Sequence, residues 1–252
     1  MIIMPVVKAK WRLEEHIIRD SDMDGMLEVL ENSRRSKKPL IYRYVNKSGC
    51  ERTKQLQVDF DLAKCMLCLL YVFGRRVSGI LKLKRSDFWT KRGYLYVRFI
   101  VLKKTRRVEK LKTKTRVKRV HIKNQMKYVQ YIINYVSKLK SQDDPLFPGY
   151  SRPYSKIVKR KDQTGQVVKT YTYEDNNEGL MSRQQAYKII KAINPNVYPH
   201  WFRHSLATQL AEEGIDQWQL MNWFDWDRFA TAKRYVTGTA AMTRDISNRE
   251  VG

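Results

Sequence analysis

His200-Trp201-Phe202-Arg203-His204-Ser205-Leu206-Ala207-Thr208 decides how this chain is read. Pro195 and Pro199 mark a loop ahead of it, and Gly214 stands where the C-cap of a helix over 200–213 belongs. On that helix His200 and Arg203 lie three residues apart and share a face. An imidazole and a planar, permanently charged guanidinium on one face can grip one phosphate group. Further on, Trp223-Phe224-Asp225-Trp226 reads as a second short helix carrying Trp226, and Tyr235 follows in Lys233-Arg234-Tyr235-Val236. A tyrosine supplies an oxygen nucleophile.

Working outward, a further arginine lies in Gly74-Arg75-Arg76-Val77-Ser78-Gly79-Ile80. It falls where an apolar helix over 59–73 ends and another begins, running on through 77–83. Ser21 or Asp22 is the expected N-cap of an amphipathic first helix that Arg34 to Lys38 closes with positive charge. Residues 39–57 read as a hairpin or extended loop around Asn46-Lys47-Ser48-Gly49. Two strands are expected, over 94–102 and 117–122, from their β-branched and aromatic content. A basic turn separates them in a small sheet. Helices over 124–139 and 182–193 follow, and residues 149–178 read as a basic hairpin or insertion with a turn at Asp162-Gln163-Thr164-Gly165.

The 252 residues carry 50 Lys+Arg against 25 Asp+Glu, a formal charge of +25, with 42% hydrophobic content that suffices for a packed core. So large an excess points to an anionic polymer, nucleic acid first. A membrane is the rival, yet no apolar run reaches the roughly 18 to 20 residues of a spanning helix. Met1 to Val7 is too short for a signal peptide, so the expected location is intracellular and DNA-associated, in cytoplasm or nucleoid. Cys65 and Cys68 form a Cys-x-x-Cys inside an apolar helical run with no second ligand pair nearby, which favours buried thiols over a metal or redox pair. No Walker-type loop or carboxylate cluster appears, so neither metal nor cofactor is expected.

Taken together, Gly74-x-Arg76-Val77-Ser78, His200-x-x-Arg203-His204 and the Trp226-to-Tyr235 spacing of nine positions resemble the tyrosine recombinase (phage-integrase) family over roughly the last three-quarters of the chain. The C-terminal motif is specific; the Arg76 motif alone is weak. The resemblance implies an α+β fold, a mostly helical catalytic domain with a small antiparallel sheet, over 21–252. An N-terminal arm over 1–20 precedes it, 149–178 is an insertion, and the family's helical clamp domain is absent or truncated. It implies site-specific recombination or integration, in a virus or mobile element. Each subunit would cut one strand of double-stranded DNA through a 3′-phosphotyrosyl link. A partner's 5′-hydroxyl would then attack that link, in a homotetramer passing through a four-way junction.

Within that reading Arg76 and Arg203 neutralise the charge that spreads over the non-bridging oxygens. His200 orients the phosphate and exchanges a proton with Tyr235, and His204 is structural or supporting. Trp226 offers an indole N–H to the phosphate or buttresses Tyr235. The family's lysine general acid sits on the turn between the second and third strands. Lys103, Lys104, Lys110, Lys112 and Lys114 all lie there, and alignment with the family's Lys-Thr-x-x-Arg turn favours Lys112, with Lys114 second. Two departures stand out: Gly79 replaces an acid common three residues after the arginine, and Asp225 replaces a small glycine. A DNA-binding regulator on a weakened or inactive recombinase scaffold, and a type IB-like topoisomerase, remain open. A metal-dependent nuclease lacks any ligand cluster to support it.

Overall fold

The sequence Phe60-Asp61-Leu62-Ala63-Lys64-Cys65-Met66-Leu67-Cys68-Leu69-Leu70-Tyr71-Val72-Phe73 is apolar around nearly its whole circumference, and a helix of that kind has no face to offer water. In the computed structural model it is the axial helix α2 (Phe60–Phe73), buried from Leu62 to Phe73. The structure describes residues 17–100, 115–149, 154–161, 166–175 and 179–236. Asp59 caps α2, its carboxylate accepting from the amides of Asp61 at 2.8 Å and Leu62 at 3.2 Å. Gly74 ends it in the left-handed region, φ 57, with its N–H on the Leu70 carbonyl at 2.9 Å. Cys65 and Cys68 are buried free thiols, as expected, and burial raises both pKa values.

Around α2 pack α1 (Asp20–Arg35), α4 (Met126–Ser137) and α6 (Pro199–Glu212), while the short α3 (Val77–Ile80) leaves its end. Strands β1 (Leu40–Val45) and β2 (Glu51–Leu56) form an antiparallel hairpin that packs on α5 (Arg183–Ile193). The central sheet is antiparallel in the order β3-β4-β5, from Phe88–Lys91, Tyr94–Ile100 and Thr115–His121. On β4 Leu95, Val97 and Phe99 turn inward, and Phe99 meets Phe73 edge-on at 5.4 Å. A third antiparallel pair, β6 (Tyr154–Lys161) and β7 (Val167–Asp175), forms the expected basic hairpin with a register shift at Arg160/Lys161. Its turn at Asp162 to Gly165 lies outside the described residues. The chain ends through α6, α7 (Gln217–Phe224) and α8 (Phe229–Val236).

This is the α+β, mostly helical architecture with small antiparallel sheets. Four local expectations are corrected. The first helix is capped at Arg19, whose amide is taken by the N3 carboxylate of Asp22 at 2.9 Å, and not at Ser21 or Asp22. Helix α3 stops at Ile80 rather than continuing to Leu83. The sheet has an extra strand, β3, joined to β4 through Arg92 and Gly93, both at positive φ (50 and 76), which suits a tight hairpin turn. Trp226 stands beyond the end of α7, because Asp225 turns left-handed (φ 52, ψ 45) and stops the helix.

Candidate active site

Helix α6 is the scaffold of the site. Pro199 at its first turn has no N–H to leave unsatisfied, and the face bearing Phe202, Arg203, Ser205 and Leu206 is buried. Ser205 Oγ accepts from the Ile18 amide at 2.8 Å, and Gln209 donates to the Ile18 carbonyl at 2.7 Å. These bonds tie α6 to the segment that leads into α1.

Arg203 is 2% exposed. Its Nη1 donates to the Gly74 carbonyl at 3.1 Å and its Nη2 to the Phe224 carbonyl at 2.6 Å. The guanidinium lies 4.9 Å from the Phe224 ring centre and 5.4 Å from that of Trp226. A guanidinium has five N–H donors, so these two bonds leave others for a ligand. Burial, then Arg76 and Arg75, push its pKa down to about 9, so it is still charged at neutral pH. Gly74 has no room for a side chain: a Cβ there would stand 2.7 Å from the Phe224 ring and 2.8 Å from Leu206 Cδ2.

Two further cations complete a clamp on α7, whose last carbonyls have no partner within the helix. Arg75 Nη1 donates to the Trp223 carbonyl at 3.0 Å, and Lys118 Nζ of β5 to the Asn222 carbonyl at 2.6 Å. Three consecutive carbonyls, of Asn222, Trp223 and Phe224, thus each receive a buried cation from a different element. Arg75 also pairs with the carboxylate of Asp225. Arg76 is half-buried as the N-cap of α3. Burial and then Arg75 lower its pKa, against the opposing pull of Asp225 and Asp227.

Beyond the clamp, three rings stack. Phe224 and Trp226 are 4.7 Å apart at 22°, and Trp226 and Tyr235 are 5.2 Å apart at 9°. Tyr235, on α8, is 5% exposed, and its hydroxyl is hydrogen-bonded to His204 Nδ1. His200 is exposed one turn earlier, its ring edge-on to His204 at 4.5 Å and 89°. The hydrogen-bond partner of the Tyr235 hydroxyl is therefore His204, whereas the family resemblance had given the proton exchange to His200. Both histidines lie on one face, four residues apart, so spacing cannot choose between them. Burial, Arg203 and Arg234 lower the His204 pKa. A neutral imidazole accepting from the Tyr235 O–H fits that shift. Burial raises the Tyr235 pKa to about 12, although Arg203 and Arg234 pull the other way.

The structure thus brings together Arg76, Arg203, Trp226 and Tyr235, with His200 one contact out. It adds Arg75, Lys118, His204 and Asp225, of which only His204 and Asp225 had drawn notice. Lys112 and its neighbours Lys103, Lys104, Lys110 and Lys114 lie outside the described residues. Among the described residues no cluster of His, Cys, Asp and Glu could hold a metal ion, and no helix is long and apolar enough to cross a membrane.

The model of the phage integrase family matches residues 56–242, well over half of the chain. The chain belongs to that family. Its fold is similar to that of the XerH site-specific recombinase bound to its difH substrate in a pre-cleavage complex, at a TM-score of 0.52 and 13% identity over 95% of this chain. XerA recombinase gives a TM-score of 0.50 and 13% identity over 94% of this chain. The chain spans 55% of the length of the XerH chain and 66% of the XerA chain. No curated protein matches the sequence.

Proposed function

We propose that this phage-integrase family member is a site-specific DNA recombinase that cuts and rejoins strands through Tyr235, with no metal or cofactor. The observation that carries the reading is the convergence on one phenol of His204 at its hydroxyl, Trp226 against its ring and the Arg203 cation beneath that stack. A phenol with its pKa near 12 is a poor nucleophile at neutral pH unless a base takes its proton as it attacks. His204 Nδ1 is placed to do so. Tyr235 Oη then bonds to phosphorus, the bond from phosphorus to the 5′ oxygen breaks, and that oxygen leaves as a hydroxyl after taking a proton. In this reading a lysine of the 103–114 segment, Lys112 first, gives that proton. Arg203 and Arg76 neutralise the non-bridging oxygens, and His200, exposed and edge-on to His204, orients the phosphate.

Attack by a 5′-hydroxyl reverses the step and conserves the bond energy. The proposal extends to four protomers on two duplexes and to an element that moves or integrates DNA; the XerH complex with its difH site supports a DNA partner. A DNA-binding regulator is the second reading, favoured by the near-complete burial of Tyr235. The two separate in one assay. Wild-type and Tyr235→Phe protein are incubated in EDTA with nicked suicide duplexes and run on a denaturing gel. An adduct from wild type alone supports the recombinase. Binding without an adduct in either supports the regulator, and an adduct in Tyr235→Phe would unseat Tyr235 as the nucleophile.

A further inference from the structure

Asp225 combines two features that chain folding rarely puts together. Its backbone is left-handed, where a Cβ is disfavoured and glycine is the easy choice, although aspartate tolerates it better than most residues. Its side chain is only 10% exposed, and a buried carboxylate is stable only when partnered. Arg75 supplies that partner directly, while Arg116 Nε and Lys118 Nζ stand 3.9 Å from the other oxygen. The pair joins two segments 150 residues apart: the Gly74-Arg75-Arg76 loop and the turn from α7 into α8. The residue after Asp225 is Trp226, and its ring is the platform against which Tyr235 lies.

The cation cluster of Arg75, Arg76, Lys118 and Arg203 would repel itself with no acid inside it. Asp225 opposes the loss of charge on Arg76, Lys118 and Arg203. It neutralises one charge and leaves the rest for an anion. Without it Arg75 would be a buried cation left with the Trp223 carbonyl and the Phe99 ring, and the turn would lose its ion pair to the arginine loop.

We propose that Asp225 is a positioning residue: ion-paired with Arg75, it locks the turn after α7 so that Trp226 and Tyr235 are held against Arg203 and His204. The link to strand cutting rests on the reading of Tyr235 as nucleophile, whereas the geometric claim does not. Asp225→Asn, Arg75→Met and the double variant are compared in single-turnover adduct formation at saturating suicide DNA. DNA affinity and thermal unfolding are measured beside it, with Asp225→Gly, which suits the left-handed turn, standing in if Asp225→Asn fails to fold. Each single change is expected to slow adduct formation tenfold or more with DNA affinity within about threefold, and the double to be no slower than either single, because coupled residues are not additive.

Imidazole nitrogen NMR gives a readout that needs no activity. The His204 Nδ1 resonance should move in Asp225→Asn as the Tyr235 bond loosens. A rate within twofold of wild type and an unmoved His204 resonance, with only the unfolding temperature lowered, would overturn the proposal. So would losses that multiply in the double variant. Should wild type form no adduct, the Tyr235 reading fails, and the His204 resonance alone then decides whether Asp225 positions the turn.

Discussion

At the end of α7, Arg75, Lys118 and Arg203 are 7%, 9% and 2% exposed and donate to three consecutive carbonyls; on the β1–β2 hairpin, Arg43, Arg52 and Lys54 stand exposed to solvent. Both regions answer to the same composition of +25. The first uses positive charge to hold helices in register, with carbonyl dipoles and Asp225 as partners. The second displays it on a surface, where it can meet phosphates but adds little to the fold. A basic residue in this chain is therefore not by itself a candidate for meeting phosphate, and burial tells the two settings apart.

The contrast breaks most readily at Arg203. Arg203→Met would leave the Gly74 and Phe224 carbonyls without their donor and remove the cation beneath the ring stack. A loss of about 3 kcal/mol or more is expected in denaturant unfolding, together with loss of adduct formation. Next is Gly74→Ala, which strains a left-handed residue and drives a methyl into Phe224 and Leu206. An expected cost of about 2 kcal/mol would show in the same unfolding curves, and a neutral result would mean that α6 and α7 yield more easily than the clamp implies.

A smaller effect sharpens the comparison through pH. His204 has a lowered pKa in the folded chain, so the unfolded state takes up its proton first as pH falls. Its contribution is present above the unfolded value of about 6.5 and is lost as pH drops through the folded value. The slope within that window is at most about 1.4 kcal/mol per pH unit. Thermal melts between pH 7 and 5 should fall less steeply in His204→Gln than in wild type. The smallest effect on stability belongs to the hairpin: Arg52→Gln with Lys54→Gln should leave the melt unchanged. If both side chains meet phosphates, the slope of log affinity against log salt should shrink by about 2. A salt slope unmoved by that double change would place the DNA track elsewhere.

Much of the fold was legible because its signals are local. The apolar run over 59–73 that became α2 and the Asn46 to Gly49 turn each lie within a few residues of what they specify. Strand β3 was missed because Phe88 to Lys91 has only four residues, and its turn uses Arg92, not asparagine, before Gly93. Trp226 was put on a helix because the left-handed stop falls on an aspartate, with no glycine to announce it. Lys118 carried no signal, being one basic residue among many in a strand whose neighbours Arg116 and Arg119 are exposed.

What the sequence by itself determined is the set of chemical groups and their local spacing: an arginine at the end of an apolar helix, a histidine-arginine-histidine face, a tyrosine nine positions past a tryptophan. Those spacings depend on helical periodicity and chain connectivity alone. Only the tertiary structure decided that His204 meets Tyr235, that Arg203 joins Gly74 to Phe224, and that Asp225 answers Arg75. These contacts cross 31, 129 and 150 positions of sequence. Their partners are selected by how α6, α7 and α8 pack against the end of α2, where a buried cation and an unfilled carbonyl are stable only together.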